Sequence, residues 1–195
     1  DDLERLVSRP GNERPYLASM GIYLFKIDTL RRLLDETPEN DFGRNIIPAA
    51  IQEGRVYAHP FEGYWEDIGT MESFYQANLM LTQEDPPFDF YNQQNPIYTH
   101  SRFLPSSRID GCRIERVVVA EGCRLYDASV ENCVIGLRSV VRPGARLRKV
   151  VLMGADYYET QEQLAENRRR GRPHVGIGHN ASIERAIIDK NARIG

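Results

Sequence analysis

Cys123-Arg124-Leu125, Ala128-Ser129-Val130 and Cys133-Val134-Ile135 follow one another along the chain, then Ser139-Val140-Val141, Ala145-Arg146-Leu147 and Val150-Val151-Leu152. Each triplet opens on a small or β-branched residue and closes on an aliphatic one. The aliphatics recur every five or six residues, so three steps make a coil of about 16 to 18 residues. That is the hexapeptide period of a parallel β-helix, in which each short strand sends one aliphatic inward and a small residue fits the corner. Cys112-Arg113-Ile114 and Val117-Val118-Val119 extend the pattern upstream. Ala181-Ser182-Ile183, Ala186-Ile187-Ile188 and Ala192-Arg193-Ile194 resume it downstream. Gly122, Gly136 and Gly144 fall between triplets, where the chain must turn.

Between the two runs, Met153 to Gly176 is polar and holds Arg168-Arg169-Arg170. It is expected to be a long loop projecting from one coil, about 153–176. Cys112, Cys123 and Cys133 each occupy the small position of a triplet, so they read as corner-fitting residues and not as reactive thiols. An odd number of cysteines without metal-ligand spacing points to a reduced, intracellular compartment. The pattern stops at Gly195 in mid-repeat, and no Gly-rich phosphate loop precedes Trp65; both suggest a piece of a longer polypeptide.

Upstream the grammar is different. Residues 16–27 read as a strand, followed by a helix over Thr29–Glu36 capped by Asp28. A second helix is expected over Asn45–Glu53 with Pro48 in its first turn, then a strand over Arg55–Phe61 and a helix from Met71 to Leu81. This alternation suits an α/β domain. The expected organisation is part of an α/β domain over 1–95, a linker over 96–108, and the β-helix, incomplete, over 109–195.

Bulk composition sets outer limits. With 41% hydrophobic and 27% charged residues the chain can bury a core, and no apolar run reaches the roughly 20 residues of a membrane span. The net charge of −3 excludes a generally basic nucleic-acid binder. The basic end, from Arg168 onward, is suited to small anions.

Gly63-Tyr64-Trp65-Glu66-Asp67-Ile68-Gly69-Thr70 holds the only tryptophan and sits between a strand-like and a helix-like segment. Loops at strand ends carry chemistry on a rigid scaffold, so a carboxylate there is placed to meet a ligand. Trp65 offers a flat apolar wall, and Gly69 allows close backbone approach.

These stretches occur in order with Ala18-Ser19-Met20-Gly21-Ile22-Tyr23, Asp41-Phe42-Gly43, Ile47-Pro48 and Pro96-Ile97-Tyr98-Thr99. Leu152-Met153-Gly154-Ala155-Asp156-Tyr157-Tyr158-Glu159 and Arg185-Ala186-Ile187-Ile188-Asp189-Lys190-Asn191-Ala192-Arg193-Ile194-Gly195 follow. Together they resemble glucose-1-phosphate adenylyltransferases (ADP-glucose pyrophosphorylases) of the cyanobacterial and plant type, from about Tyr16 to the end. The resemblance implies a Rossmann-like nucleotidyltransferase domain followed by a left-handed parallel β-helix, truncated at its C-terminus, in a tetramer. It implies transfer of AMP from ATP to glucose 1-phosphate, giving ADP-glucose and pyrophosphate for glycogen or starch synthesis. Location would be cytoplasmic, or plastid in a plant or alga.

By the same resemblance Asp67 is one of two Mg²⁺ carboxylates, the other lying upstream. Ser19, Tyr23, Asp41, Phe42 and Trp65 contact glucose 1-phosphate. Lys190 and Arg102 serve the effectors 3-phosphoglycerate and phosphate. A hydroxyl, a carboxylate and aromatic faces suit a sugar, and cations suit a polyanion. Glu66 reads as a supporting or surface acid. Alternatives are another sugar-1-phosphate nucleotidyltransferase, a non-catalytic regulatory or assembly subunit, or a hexapeptide acyltransferase using His174 or His179.

Overall fold

The computed structural model describes residues 18–39, 41–54, 56–87 and 89–195, which divide into two compact units, 1–65 and 66–195. In the first unit, α1 (Ile27–Glu36) turns Leu33 inward. A π-helical turn (Phe42–Ile46) runs into α2 (Ile47–Gln52), whose Pro48 lies in the opening turn. Leu33, Ile46 and Ala50 form a small core, with Phe25 and Ala49 against it. Arg32 ties the two helices together: it donates to Glu36 at 2.9 Å and to Glu53 at 2.8 and 2.6 Å.

Several local expectations need correction. Asp28 is not the N-cap: Lys26 holds that position without a side-chain bond, and Asp28 sits in the first turn, where its charge faces the helix dipole. Residues 18–26 and 56–61 form no strand. Their composition suits extended backbone, but a strand exists only through a partner, and none pairs with them among the described residues. Residues 16, 17 and 55 of those expected strands lie outside the described residues.

The second unit is a parallel β-helix with one helix laid on it. Strands β1 (Arg108–Asp110), β3 (Arg124–Tyr126), β5 (Val140–Val141), β7 (Gly176–Ile177) and β9 (Arg193–Ile194) stack in one sheet. Strands β2 (Arg113–Val119), β4 (Ser129–Ile135), β6 (Arg146–Leu152) and β8 (Ser182–Ile188) stack in another. The longer strands bend midway, at Arg116, Asn132, Lys149 and Arg185, all with φ between 48° and 53°. Each therefore serves two faces of the coil. Ile114, Val130, Leu147 and Ile183 stand in register, as do Val119, Ile135, Leu152 and Ile188. Leu125, Val141, Ile177 and Ile194 make the third inward column. These are the aliphatic positions of the triplets, and they fill the core.

The cysteines behave as the repeat implies. Cys123 and Cys133 are buried among these columns, and burial pushes both thiols up, away from the reactive thiolate. The glycines divide into two kinds. Gly122 and Gly144 turn with φ of 72° and 80°, whereas a Cβ on Gly136 would lie 2.6 Å from the Met153 backbone. Gly136 is thus a contact position.

Gly176 combines both demands. Its φ is 98°, and a Cβ there would stand 2.3 Å from the carbonyl oxygen of Val140 on the neighbouring coil. Neither atom can move without breaking the ladder. Gly176→Ala is expected to cost about 2–4 kcal/mol, from backbone strain plus overpacking; urea unfolding of the variant measures it.

Helix α3 (Met71–Met80) begins at Thr70, whose hydroxyl and the Ser73 side chain make a reciprocal capping box. It lies against β4 and β6, and Tyr75 donates its hydroxyl to the Lys149 carbonyl at 2.7 Å. The outward column Val134–Val151–Ile187 is apolar, and Val151 is 2% exposed although it does not point into the coil. That burial explains an apolar row on the outside of a β-helix.

Coils repeat every 16 or 17 residues, but Val141 pairs with Ile177 and Arg146 with Ser182, 36 apart. The excess is the insertion between β6 and β7. It is not the plain loop expected: it contains α4 (Gln161–Arg169), started by a Thr160–Gln163 capping box and ended by Arg168 and Arg169 near its negative pole. Among the described residues no helix is long and apolar enough to cross a membrane.

Candidate functional site

In the first unit, the sequence around Gly21 folds back on itself. Gly21 (φ 71°) donates its N–H to Ser19 Oγ at 3.2 Å, and Ser19 Oγ lies 3.1 Å from the Tyr23 hydroxyl. The Tyr23 ring stacks on Phe42 with centroids 6.4 Å apart, and Phe25 meets Phe42 edge-on at 6.1 Å. Three residues expected to touch the sugar are thus one contiguous surface of hydroxyls and ring faces. Asp41 is adjacent in sequence, but its Oδ1 accepts from the Arg44 N–H at 2.8 Å and caps the π-helical turn. Trp65 is 43% exposed and is not part of the ring cluster. Phe25 was not singled out from sequence, because an aromatic in an apolar run reads as core.

Asp67 belongs to the second unit. Its Oδ1 accepts the Gly69 N–H at 3.0 Å, fixing the turn that feeds the Thr70 cap of α3. The segment runs on into a cleft of about 520 Å³ lined by Ile68, Thr70, Met71, Phe74, Ile187 and Asp189. As a hard oxygen donor Asp67 fits Mg²⁺, a cation that commonly takes one or two carboxylates and completes its shell with phosphate oxygens and water. Among the described residues no group of three or more acids, histidines or cysteines gathers to hold a metal unaided.

Arg102 donates to the His100 carbonyl at 3.2 Å. Lys190 Nζ donates to Asp156 Oδ1 at 2.9 Å, and Asn191 Nδ2 donates to Asp156 Oδ2 at 2.8 Å. The Asp156 N–H returns a bond to Asn191 Oδ1 at 2.9 Å. The bonds from Lys190 and Asn191, reinforced by the charges of Lys190 and Arg138, hold the Asp156 carboxyl below its ordinary value.

Three residues further on, Glu159 is buried with a side chain 5% exposed. It accepts from Arg193 at 2.7 Å, Asn167 at 2.6 Å and the Val175 N–H at 2.9 Å. His174 Nδ1 lies 3.8 Å from Glu159 and 3.4 Å from Asn167, and burial together with the Arg142 charge lowers its proton affinity. His174 is therefore part of the pin that seats α4. Sequence pattern does not single out Asp156 or Glu159: Lys190, Asn191 and Arg193 lie 34 or 35 residues away, and Asn167 and Val175 lie 8 and 16 residues from Glu159, beyond the reach of local reading.

Two family models match the chain in succession, and the first runs past residue 65 to include α3. Residues 1–84 match the nucleotidyl transferase family model, and residues 102–195 match the GLGC left-handed parallel beta-helix domain. The chain thus has the expected fold class, a nucleotidyltransferase segment followed by a left-handed parallel β-helix.

Proposed function

We propose, starting from a chain that joins a nucleotidyl transferase segment to a GLGC-type left-handed parallel β-helix, that it forms part of a glucose-1-phosphate adenylyltransferase. The observation that carries this reading is the succession of the two domain types in one polypeptide. The β-helix narrows the sugar nucleotidyltransferases to the GLGC type, and the sequence motifs favour ATP and glucose 1-phosphate as substrates. The products would be ADP-glucose and pyrophosphate, in a cytoplasmic or plastid tetramer.

In this reading the Ser19–Tyr23–Phe42 surface binds the sugar, hydroxyls to hydroxyls and rings to the apolar pyranose face. Asp41 keeps the ring of Phe42 in place by capping its turn. Trp65 adds a further wall. Asp67 would supply one of the two carboxylates that hold Mg²⁺, which would provide charge neutralisation for the substrate phosphates. The chain's own part is to fix that carboxylate through Gly69 and to orient the sugar. Lys190 and Arg102 bind the effectors 3-phosphoglycerate and phosphate.

The single tryptophan makes the sugar site testable on this chain. Glucose 1-phosphate is expected to shift Trp65 emission saturably, and galactose 1-phosphate to do so far more weakly. An unchanged spectrum at millimolar ligand removes Trp65 from the pocket. For the reaction, ADP-glucose formation by the complete polypeptide supports the reading. Use of GTP or UTP instead identifies a different transferase, and effector binding without turnover a regulatory subunit.

A further inference from the structure

Two acids of the insertion grip the turn Lys190–Arg193 of the last coil, and they do so very differently. Glu159 is buried and takes three donors, one of them a backbone N–H. Asp156 is 55% exposed in its side chain, and so is about half of Lys190. Its two oxygens take one donor each from consecutive residues, Lys190 Nζ and Asn191 Nδ2, with Arg138 adding positive charge. A carboxylate held this way traces the shape of an oxyanion site: two converging donors, a supporting cation and open access to solvent. The present occupant is the chain's own side chain.

We infer that Asp156 is a resident counter-ion that a small phosphate-bearing anion must displace from Lys190 and Asn191. The inference rests on the reading of Lys190 as an effector lysine and specifies its regulation. Exchange is feasible because exposed ion pairs are weak and a phosphate brings more charge and more acceptors than a carboxylate. The insertion stays seated when Asp156 lets go, because Glu159 keeps its buried bonds to Arg193, Asn167 and Val175. Ligand binding would thus release the Asp156 side chain without unfolding the coil, because Gly154, Ala155 and Tyr158 keep their bonds to Asn191, Leu137 and Gly122. Asp156 sets the concentration at which that happens, since an intramolecular anion competes at a fixed effective concentration.

The test uses the 195-residue chain, isotope-labelled, titrated with 3-phosphoglycerate and with inorganic phosphate at about 0.1 M salt, where unpaired surface charges are screened. Shifts of the Lys190 and Asn191 signals report binding. Asp156→Asn keeps an acceptor for Asn191 and removes the charge, so it is expected to tighten binding about three- to fivefold for both anions. Lys190→Gln is expected to abolish the Asn191 shifts in either background. If wild type binds, Lys190→Gln abolishes binding and Asp156→Asn binds no tighter, the counter-ion inference is overturned while the effector reading stands. If Lys190→Gln binds as well as wild type, or no form binds at millimolar anion, both are overturned. An Asp156→Asn spectrum retaining the β-helix amide pattern confirms that affinity is being compared within one fold.

Discussion

Glu159→Ala is expected to destabilise the β-helix unit by about 3–5 kcal/mol, the usual cost of removing one partner of a buried ion pair. The carboxylate is where the insertion, the coil of β7 and the coil of β9 meet. Its loss leaves the Arg193 guanidinium, itself largely buried, with only the Pro173 carbonyl, and strips acceptors from Asn167 and the Val175 N–H. Urea unfolding at neutral pH measures the loss. Glu159→Gln keeps the shape and one acceptor oxygen, so its cost should be smaller, about 1–3 kcal/mol. Acid gives an independent check. Burial alone would raise the Glu159 carboxyl, but the bonds from Val175, Arg193 and Asn167 and the Arg193 charge outweigh it, so the folded value lies below the ordinary 4.5. A depressed carboxyl contributes stability that is present above its unfolded value and is lost as pH falls through the folded one. The gap between wild type and Glu159→Gln must therefore hold above the unfolded value, at about pH 5 and higher, and shrink progressively as pH falls through the folded one. A gap that is constant down to pH 3 would show that the carboxylate charge is not what seats the insertion.

The same region shows what sequence can and cannot display. The coils were legible because a β-helix writes its register into the chain: Leu125, Val141, Ile177 and Ile194 stack only if each is aliphatic, and small residues at the triplet starts fit the corners. Helix α3 was legible from its helical spacing. The corners at Arg116, Lys149 and Arg185 were not, because positive φ is read from Gly or Asn and here long cations accept the strain. Helix α4 hid in a polar stretch with little apolar periodicity, although its capping box was in view. The strands expected near Ile22 and Val56 failed for a different reason: composition can propose an extended segment, but only a partner makes it a strand. For the site, contiguous motifs carried Ser19, Tyr23 and Phe42, whereas Phe25, Asp156 and Glu159 are defined by what the fold brings to them.

Asp67→Asn should separate chemistry from architecture more sharply than any other change. The Asp67 Oδ1 that accepts the Gly69 N–H is retained by asparagine, so the turn, the Thr70 cap and α3 keep their geometry. Stability should stay within about 0.5 kcal/mol of wild type. Only the negative charge is lost. If Asp67 holds Mg²⁺ against the substrate phosphates, the complete enzyme carrying Asp67→Asn should lose about three orders of magnitude or more in kcat, since charge neutralisation at the transferring phosphoryl group is the main catalytic contribution in such reactions. The Mg²⁺ concentration for half-maximal rate should rise, because the ion then depends on substrate oxygens for more of its shell. If the Ser19–Tyr23–Phe42 surface binds the sugar as proposed, sugar binding should be far less affected, so the loss falls on kcat more than on KM for glucose 1-phosphate. Glu66→Gln, one residue away, provides the control for a general loss of negative charge in this turn and should cost less than tenfold. Near-normal turnover by Asp67→Asn would take the carboxylate out of the mechanism and leave it as the residue that shapes the entry to α3.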